Sequence, residues 1–283
     1  MVDLASIESS ENDVNEQLFT SAIKKRRRKD RWFTAFVLLM SLFSLFPLFS
    51  VLYYVVVKGW QGFFFGNFFI PAAGTLEMTG FALIFAVPVG LALGVYLHER
   101  KGTRLAAMVY YLADLMAGMP SVLVGMTVYA VLVVTMGTFS LFAGSVALML
   151  IMIPFLAKEI EAKLSPAAIM IKESAIALGA TQMQALLRMV LPSMRRSIIV
   201  VILLSVSRAM GETAPLLFTS LGNQFWPTSV FSPASTLSLQ IYYDALSPYS
   251  SLQAQAFAGA LVLIVFILIL FLLARWIARG DIR

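Results

Sequence analysis

Six long apolar runs alternate with polar stretches along the 283-residue chain. They cover Trp32–Val57, Thr75–Leu97, Val109–Thr135, Phe139–Ala157, Ser197–Leu221 and Ala256–Ala278. Each is near or above the roughly 20 residues a helix needs to cross the hydrocarbon core of a bilayer. A helix satisfies its backbone N–H and C=O groups within its own segment, as hydrocarbon demands. The pattern predicts an all-α, polytopic membrane protein with six transmembrane helices. An even number of spans puts both ends of the chain on one side.

Basic residues decide which side that is. Taking the N-terminus as inside, the inner segments receive Lys24–Arg31, Arg100, Lys101, Arg104, the cluster from Lys158 to Arg196, and Arg275, Arg279 and Arg283. The outer loops hold only Lys58, and the long one at 222–255 has no Lys or Arg at all. This is the positive-inside distribution, and it predicts cytoplasmic N- and C-termini. Residues 1–30 form a polar arm with a basic run at Lys24–Lys29. The arm is too long for a signal peptide and the run after it lacks a small-residue cleavage site, so retention is expected. Residues 31–74 then hold the first span and its outer loop, and 75–283 hold the other five spans.

Composition fits this picture: 60% of residues are hydrophobic and 13% charged. With no cysteine, disulfides and thiolate metal sites are excluded. The single histidine, His98, sits at the mouth of a basic loop and reads as solvated, so no metal site is expected. The net charge of +6 is accounted for by topology, which leaves no case for nucleic-acid binding.

One basic residue escapes the topological account. Arg208 lies near the middle of the fifth run, within Ser207–Thr219, which reads SRAMGETAPLLFT. Glu212 is four residues on, hence on the same helical face. Pro215 lacks an N–H and deprives the Gly211 carbonyl of its partner, so Gly211 and Pro215 predict a helix break. Ionised residues at membrane depth are costly and mark a pathway unless they only pair with one another. Asp114, ahead of Pro120 in the third run, is a second such charge; a transport role and a bland one, as a structural partner for Arg208 or a residue facing water, fit it equally. Pro120 is a further expected break.

The inner segment 165–192 predicts a helical hairpin. Ser165 and Pro166 suit an N-cap and a first helical residue, and Gly179 suits a C-terminal stop. Thr181 and Gln184 make a capping-box pattern for a second short helix that ends before Pro192. Its apolar residues Ile169, Ile171, Ile176 and Leu178 exceed what a solvated loop needs, which points to a docked partner or to packing under its own bundle.

That hairpin resembles the EAA loop of ABC-importer permeases. The matching residues are Glu173, Ser174 and Ala175, then Gly179 after three intervening residues, then Met189, Val190, Leu191 and Pro192 after nine more. Ser174 and Met189 stand where Ala and Ile are usual. RAMGETAPLLFT, DLMAGMPSVLVGM (114–126) and ALGAT (177–181) are further similar to the PstA family of phosphate-specific importers. The resemblance runs from about Thr75 to the C-terminus. It implies the type I ABC-importer permease fold in a prokaryotic inner membrane. It also implies a coupling role for Glu173, Ser174, Ala175, Gly179, Leu191 and Pro192, and a translocation role for Arg208, Glu212, Asp114, Lys158 and Glu161. Lys158 replaces the arginine usual at its position, keeping the charge but not the bidentate fork.

The implied partners are a PstC-like second permease, two PstB-like ATPases, a PstS-like phosphate-binding protein, phosphate and the lipid bilayer. The chain has no GxxxxGK[ST] loop. It is therefore expected to be a transport subunit and not an enzyme, binding no cofactor, with ATP and Mg used by the partner ATPase. Import of another oxyanion (sulfate or molybdate) and a stand-alone secondary anion transporter are the alternatives. In the outer loop, Trp226, Pro227, Pro233, Tyr242 and Tyr243 read as a binding-protein surface or as interfacial aromatic anchors.

Overall fold

The structure is a computed structural model. It describes residues 4–63, 66–164 and 166–278, with backbone alone for 4–28, 166 and 167. The described elements are α1 (Leu4–Gly62), α2 (Phe69–Glu99), α3 (Arg104–Gly118), α4 (Ser121–Met136), α5 (Leu141–Lys163), α6 (Pro166–Ala177), α7 (Gln182–Ser193), α8 (Arg195–Met210), α9 (Ala214–Thr219), α10 (Leu237–Leu246) and α11 (Ser250–Ala278). Two compact units divide at Tyr54 and Val55. In the first, the helix starts within the polar arm at Leu4, and residues 29–54 are exposed throughout. All the remaining elements belong to the second unit.

Among the described residues four helices are long and apolar enough to cross a membrane: Lys29–Gly62 of α1, then α2, α5 and α11. The third and fifth runs are not single helices. α3 and α4 meet at 99° across Met119 and Pro120. Met119 adopts an extended conformation (ψ 135°), which a residue before proline favours over the helical one. The fifth run is interrupted at Gly211–Thr213, and α7 meets α8 at 69°. Counting each bent pair as one span brings the number to six.

α2 and α5 form the centre of the second unit. Every fourth residue of α2 from Gly74 to Gly94 (Gly74, Met78, Ala82, Ala86, Gly90, Gly94) is buried. Apolar burial drives little association in lipid, so close packing of small residues does that work. A Cβ on Gly90 would stand 2.6 Å from Leu156 Cβ, and one on Gly94 2.7 Å from the Ala157 carbonyl oxygen. Leu148, Met152, Leu156 and Ile160 of α5 are buried along the same seam. Neither Pro88 in α2 nor Pro154 in α5 interrupts its helix.

The long loop at 222–255 is built rather than irregular. It carries α10, capped by the Thr236 hydroxyl, and its preceding segment closes the end of α5. Leu141 N donates to Ser232 O at 2.9 Å and Phe142 N to Val230 O at 2.9 Å. The buried Ser220 hydroxyl donates to Ala234 O at 2.5 Å and accepts from Ala234 N at 3.4 Å.

The hairpin at 165–192 follows α5. Ser165, the expected N-cap, lies outside the described residues. α6 ends in a Schellman motif: Gly179 takes φ +92°, its N–H donates to Ile176 O (2.9 Å), and Ala180 N donates to Ala175 O (3.1 Å). The capping box forms, with Gln184 N on Thr181 Oγ1 at 3.3 Å and Thr181 N on Gln184 Oε1 at 3.0 Å. The second helix does not stop before Pro192; it continues to Ser193 through a π turn at Leu186–Val190. That turn widens the hydrogen-bond register ahead of the proline, so its missing N–H does not end the helix.

Candidate functional site

The break after α8 organises the site. Gly211 N bonds back to Arg208 O (3.1 Å) and Glu212 N to Ala209 O (3.1 Å), tightening the last turn before the chain leaves the helix. α9 resumes at Ala214 with Pro215 in its first turn, where an N–H would lack a helical acceptor anyway. Pro215 is buried against Gly125 of α4: a Cβ there would stand 2.5 Å from Pro215 Cα. The Glu212 carbonyl accepts from the Ser238 hydroxyl at 2.8 Å.

Arg208 and Glu212 line a cavity of about 130 Å³ together with Phe155, Ile151 and the α3–α4 break around Met119 and Ser121. The guanidinium lies over the Phe155 ring, 5.5 Å from its centroid. Among the described residues no ion pair or side-chain hydrogen bond holds Arg208, and the Glu212 carboxylate is equally uncommitted. A guanidinium carries five donors and no acceptor, so this one faces the cavity with its hydrogen-bonding capacity unspent.

Asp114 does not partner Arg208. It pairs with Lys158 of α5, whose ammonium also sits 5.6 Å from the Tyr110 ring centroid. Asp114 and Tyr110 are four residues apart on α3, so one helical face presents both to Lys158. Glu161 is elsewhere: it lines a separate cavity of about 380 Å³ with Lys101, Tyr110 and Tyr111. Arg208 with Glu212, and Lys158 with Asp114, are thus brought into two distinct constellations.

On the hairpin, Glu173 and Ser174 are exposed, Ala175 is buried, and Pro192 is exposed while Leu191 is half-buried. Leu178 is 90% exposed, and Met170, Met183 and Met189 of the same hairpin are exposed as well. Lys172, one residue before Glu173, pairs with Glu99 at the end of α2. Residue types alone did not single out Phe155, the Lys172–Glu99 pair or the Ser238 contact to Glu212. Glu99 carried a usable signal, a carboxylate at a helix C-terminus where the dipole disfavours it.

The family described as "binding-protein-dependent transport system inner membrane component" matches residues 86–280. The phosphate transport system permease protein PstA of Xylella fastidiosa (strain 9a5c) is 37% identical over 204 residues, 71% of each chain. The protein of that name from Yersinia pestis is 33% identical over 265 residues, covering 88% of this chain and 90% of its own. Among solved structures, a bacterial alginate ABC transporter in complex with a pentasaccharide-bound periplasmic protein superposes with a TM-score of 0.63 at 18% identity. It covers 91% of this chain and 97% of its own. The inward-facing MetNI methionine ABC transporter gives 0.55 at 19% identity, over 82% and 97%. These likenesses show the fold, that of ABC-importer permeases.

Proposed function

The chain belongs to the family of binding-protein-dependent transport system inner membrane components, within its PstA branch, and on that premise we propose how its residues serve phosphate import. It is a multi-pass inner-membrane permease of an ABC importer for phosphate, acting in a complex with an ATPase and a binding protein. In our reading the second permease is PstC-like, two PstB-like ATPases use ATP and Mg beneath, and a PstS-like protein delivers phosphate above. Both termini face the cytoplasm, as the basic clusters favour. The chain supplies no catalytic group and binds no cofactor of its own.

Phosphate passes Arg208. The observation that carries this is the uncommitted guanidinium facing the cavity of about 130 Å³. Arginine's planar fork matches two phosphate oxygens at once. The space exceeds several-fold the roughly 10–15 Å³ a cavity needs to hold one water, which leaves room for a small oxyanion. Glu212, on the same wall, keeps the site from becoming a trap, since a lone cation in low dielectric would hold an anion too tightly. Lys158, moderated by Asp114, forms a second charged station on the way out, and Glu161, in the neighbouring cavity that Tyr110 also lines, a third. Glu173, Ser174, Ala175 and Gly179 with Leu191 and Pro192 present the α6–α7 hairpin to the ATPase. The test is ATP-dependent phosphate uptake in vesicles holding the complex, with sulfate as competitor. Arg208→Gln is expected to abolish uptake while the complex still assembles; unchanged uptake would sink the assignment.

A further inference from the structure

We infer that α2 is a rigid link tying the docking helix α6 to the Glu212 break, with Lys172–Glu99 as its inner joint and the contact of Gly74 and Thr75 with Ser235–Ser238 as its outer joint. The inference rests on the reading of the chain as an ATPase-coupled permease. Glu99, Lys172, Thr75 and Ser238 are then positioning residues for the Arg208–Glu212 cavity.

The inner joint is polar and specific. Glu99 is the last residue of α2, where the helix dipole opposes a carboxylate. The Lys172 ammonium, reaching across from α6, offsets that cost. Both side chains are largely covered, 18% and 28% exposed, so salt screens the pair less than a surface pair. Lys172 is adjacent to Glu173 in the hairpin, so a partner seated on that surface moves the joint with it.

The link itself is stiff. α2 is one helix of 31 residues, a rise of roughly 46 Å, unbroken at Pro88. Its row of small residues lies in close contact with α5, a seam that slides between discrete packings and does not deform continuously. At the far end a Cβ on Gly74 would stand 2.0 Å from Ser235 O. Thr75 Oγ1 accepts from Leu237 N at 2.9 Å while donating to Pro71 O at 2.7 Å, so its bonding capacity in this contact is used. The Ser238 hydroxyl, in the same buried segment, donates to Glu212 O. A displacement of α6 therefore reaches the main chain of Glu212 through an ion pair, close helix packing and hydrogen bonds, step by step.

The experiment uses the full complex in proteoliposomes, recording phosphate uptake and ATP hydrolysis together. ATP-dependent phosphate uptake by the wild type tests the underlying reading; its absence removes the premise and the inference with it. Given that uptake, Lys172→Glu and Glu99→Lys should each lower phosphate moved per ATP by roughly three- to tenfold while hydrolysis continues, as for loss of one joint in a coupled network. The double exchange should restore the ratio. Thr75→Val, close in shape but without the acceptor, should lower it in the same way. Lys172→Gln and Glu99→Gln replace the reversals where these fail to assemble. An unchanged ratio in the single variants, or a double exchange that does not restore it, overturns the link. A merely structural role would depress uptake and hydrolysis together, which equally overturns it.

Discussion

Asp114 engages the ammonium of Lys158, and among the described residues Arg208 has no ion-pair partner. The two basic residues assigned to the proposed path differ for this reason: Lys158 is charge-compensated, and Arg208 rests on an aromatic face. In the proposed path, a free cation alternating with a compensated one would draw an anion in and still let it go.

Replacing Asp114 with Asn removes the compensation from Lys158. The anion should then dwell longer at that station, lowering both the apparent KM and the maximal rate of phosphate uptake. Uptake kinetics of the assembled variant complex check this, and an unchanged KM would count against a role for the pair in transport.

Gly125 is required by space. Its missing side chain lets α4 lie on Pro215, and even the single carbon of Gly125→Ala would meet backbone at 2.5 Å. The substitution should destabilise the subunit by about 1–3 kcal/mol, as overpacking does. It should also shift the break beside Glu212. Thermal unfolding in detergent, read beside uptake, tests both effects.

Gly179 is required by conformation. No atom stands within 4 Å of an added Cβ, but φ is +92°. Gly179→Ala should loosen the α6–α7 turn at a cost of roughly 1–2 kcal/mol, whereas Asn, which tolerates positive φ, should cost less. Phosphate moved per ATP should fall in the order Gly, Asn, Ala. Equal losses for Asn and Ala would mean that the glycine's surface meets the partner directly.

Asp244 of α10 is buried, and desolvation raises its pKa above the ordinary carboxylate value, with a hydrogen bond from Gln240 (2.8 Å) opposing the shift. The folded state thus holds this proton more tightly than the unfolded chain does. Stability should fall as pH rises from the ordinary Asp range through the raised value. Asp244→Asn should flatten that slope, and unfolding followed across mildly acidic pH decides the matter.

Apolar run length located the spans, because the bilayer imposes one dimension on all of them. The capping box at Thr181 and the stop at Gly179 were equally legible, since each depends on a few adjacent residues. The 99° turn at Pro120 was not. Proline announces an interruption, but its angle comes from what packs beside it, here Pro215 on Gly125. The charges followed the same division. Arg208 stood out by its depth, while the choice of Lys158 for Asp114 depends on how α3 lies against α5, and no spacing within one segment encodes that.

The clasp between Ser220 and Ala234 carries a consequence for how the family diversifies. Two hydrogen bonds fix the ends of a loop whose tip includes the exposed Phe225. Each doubling of such a loop costs only about 0.6 kcal/mol in closure entropy. Insertions and exchanges around Phe225 are therefore cheap, while the bonds of Val230 and Ser232 to the start of α5 hold the rest of the loop in place. Under the reading of this loop as a surface for a delivery protein, that face can drift from lineage to lineage while the helices below keep their geometry.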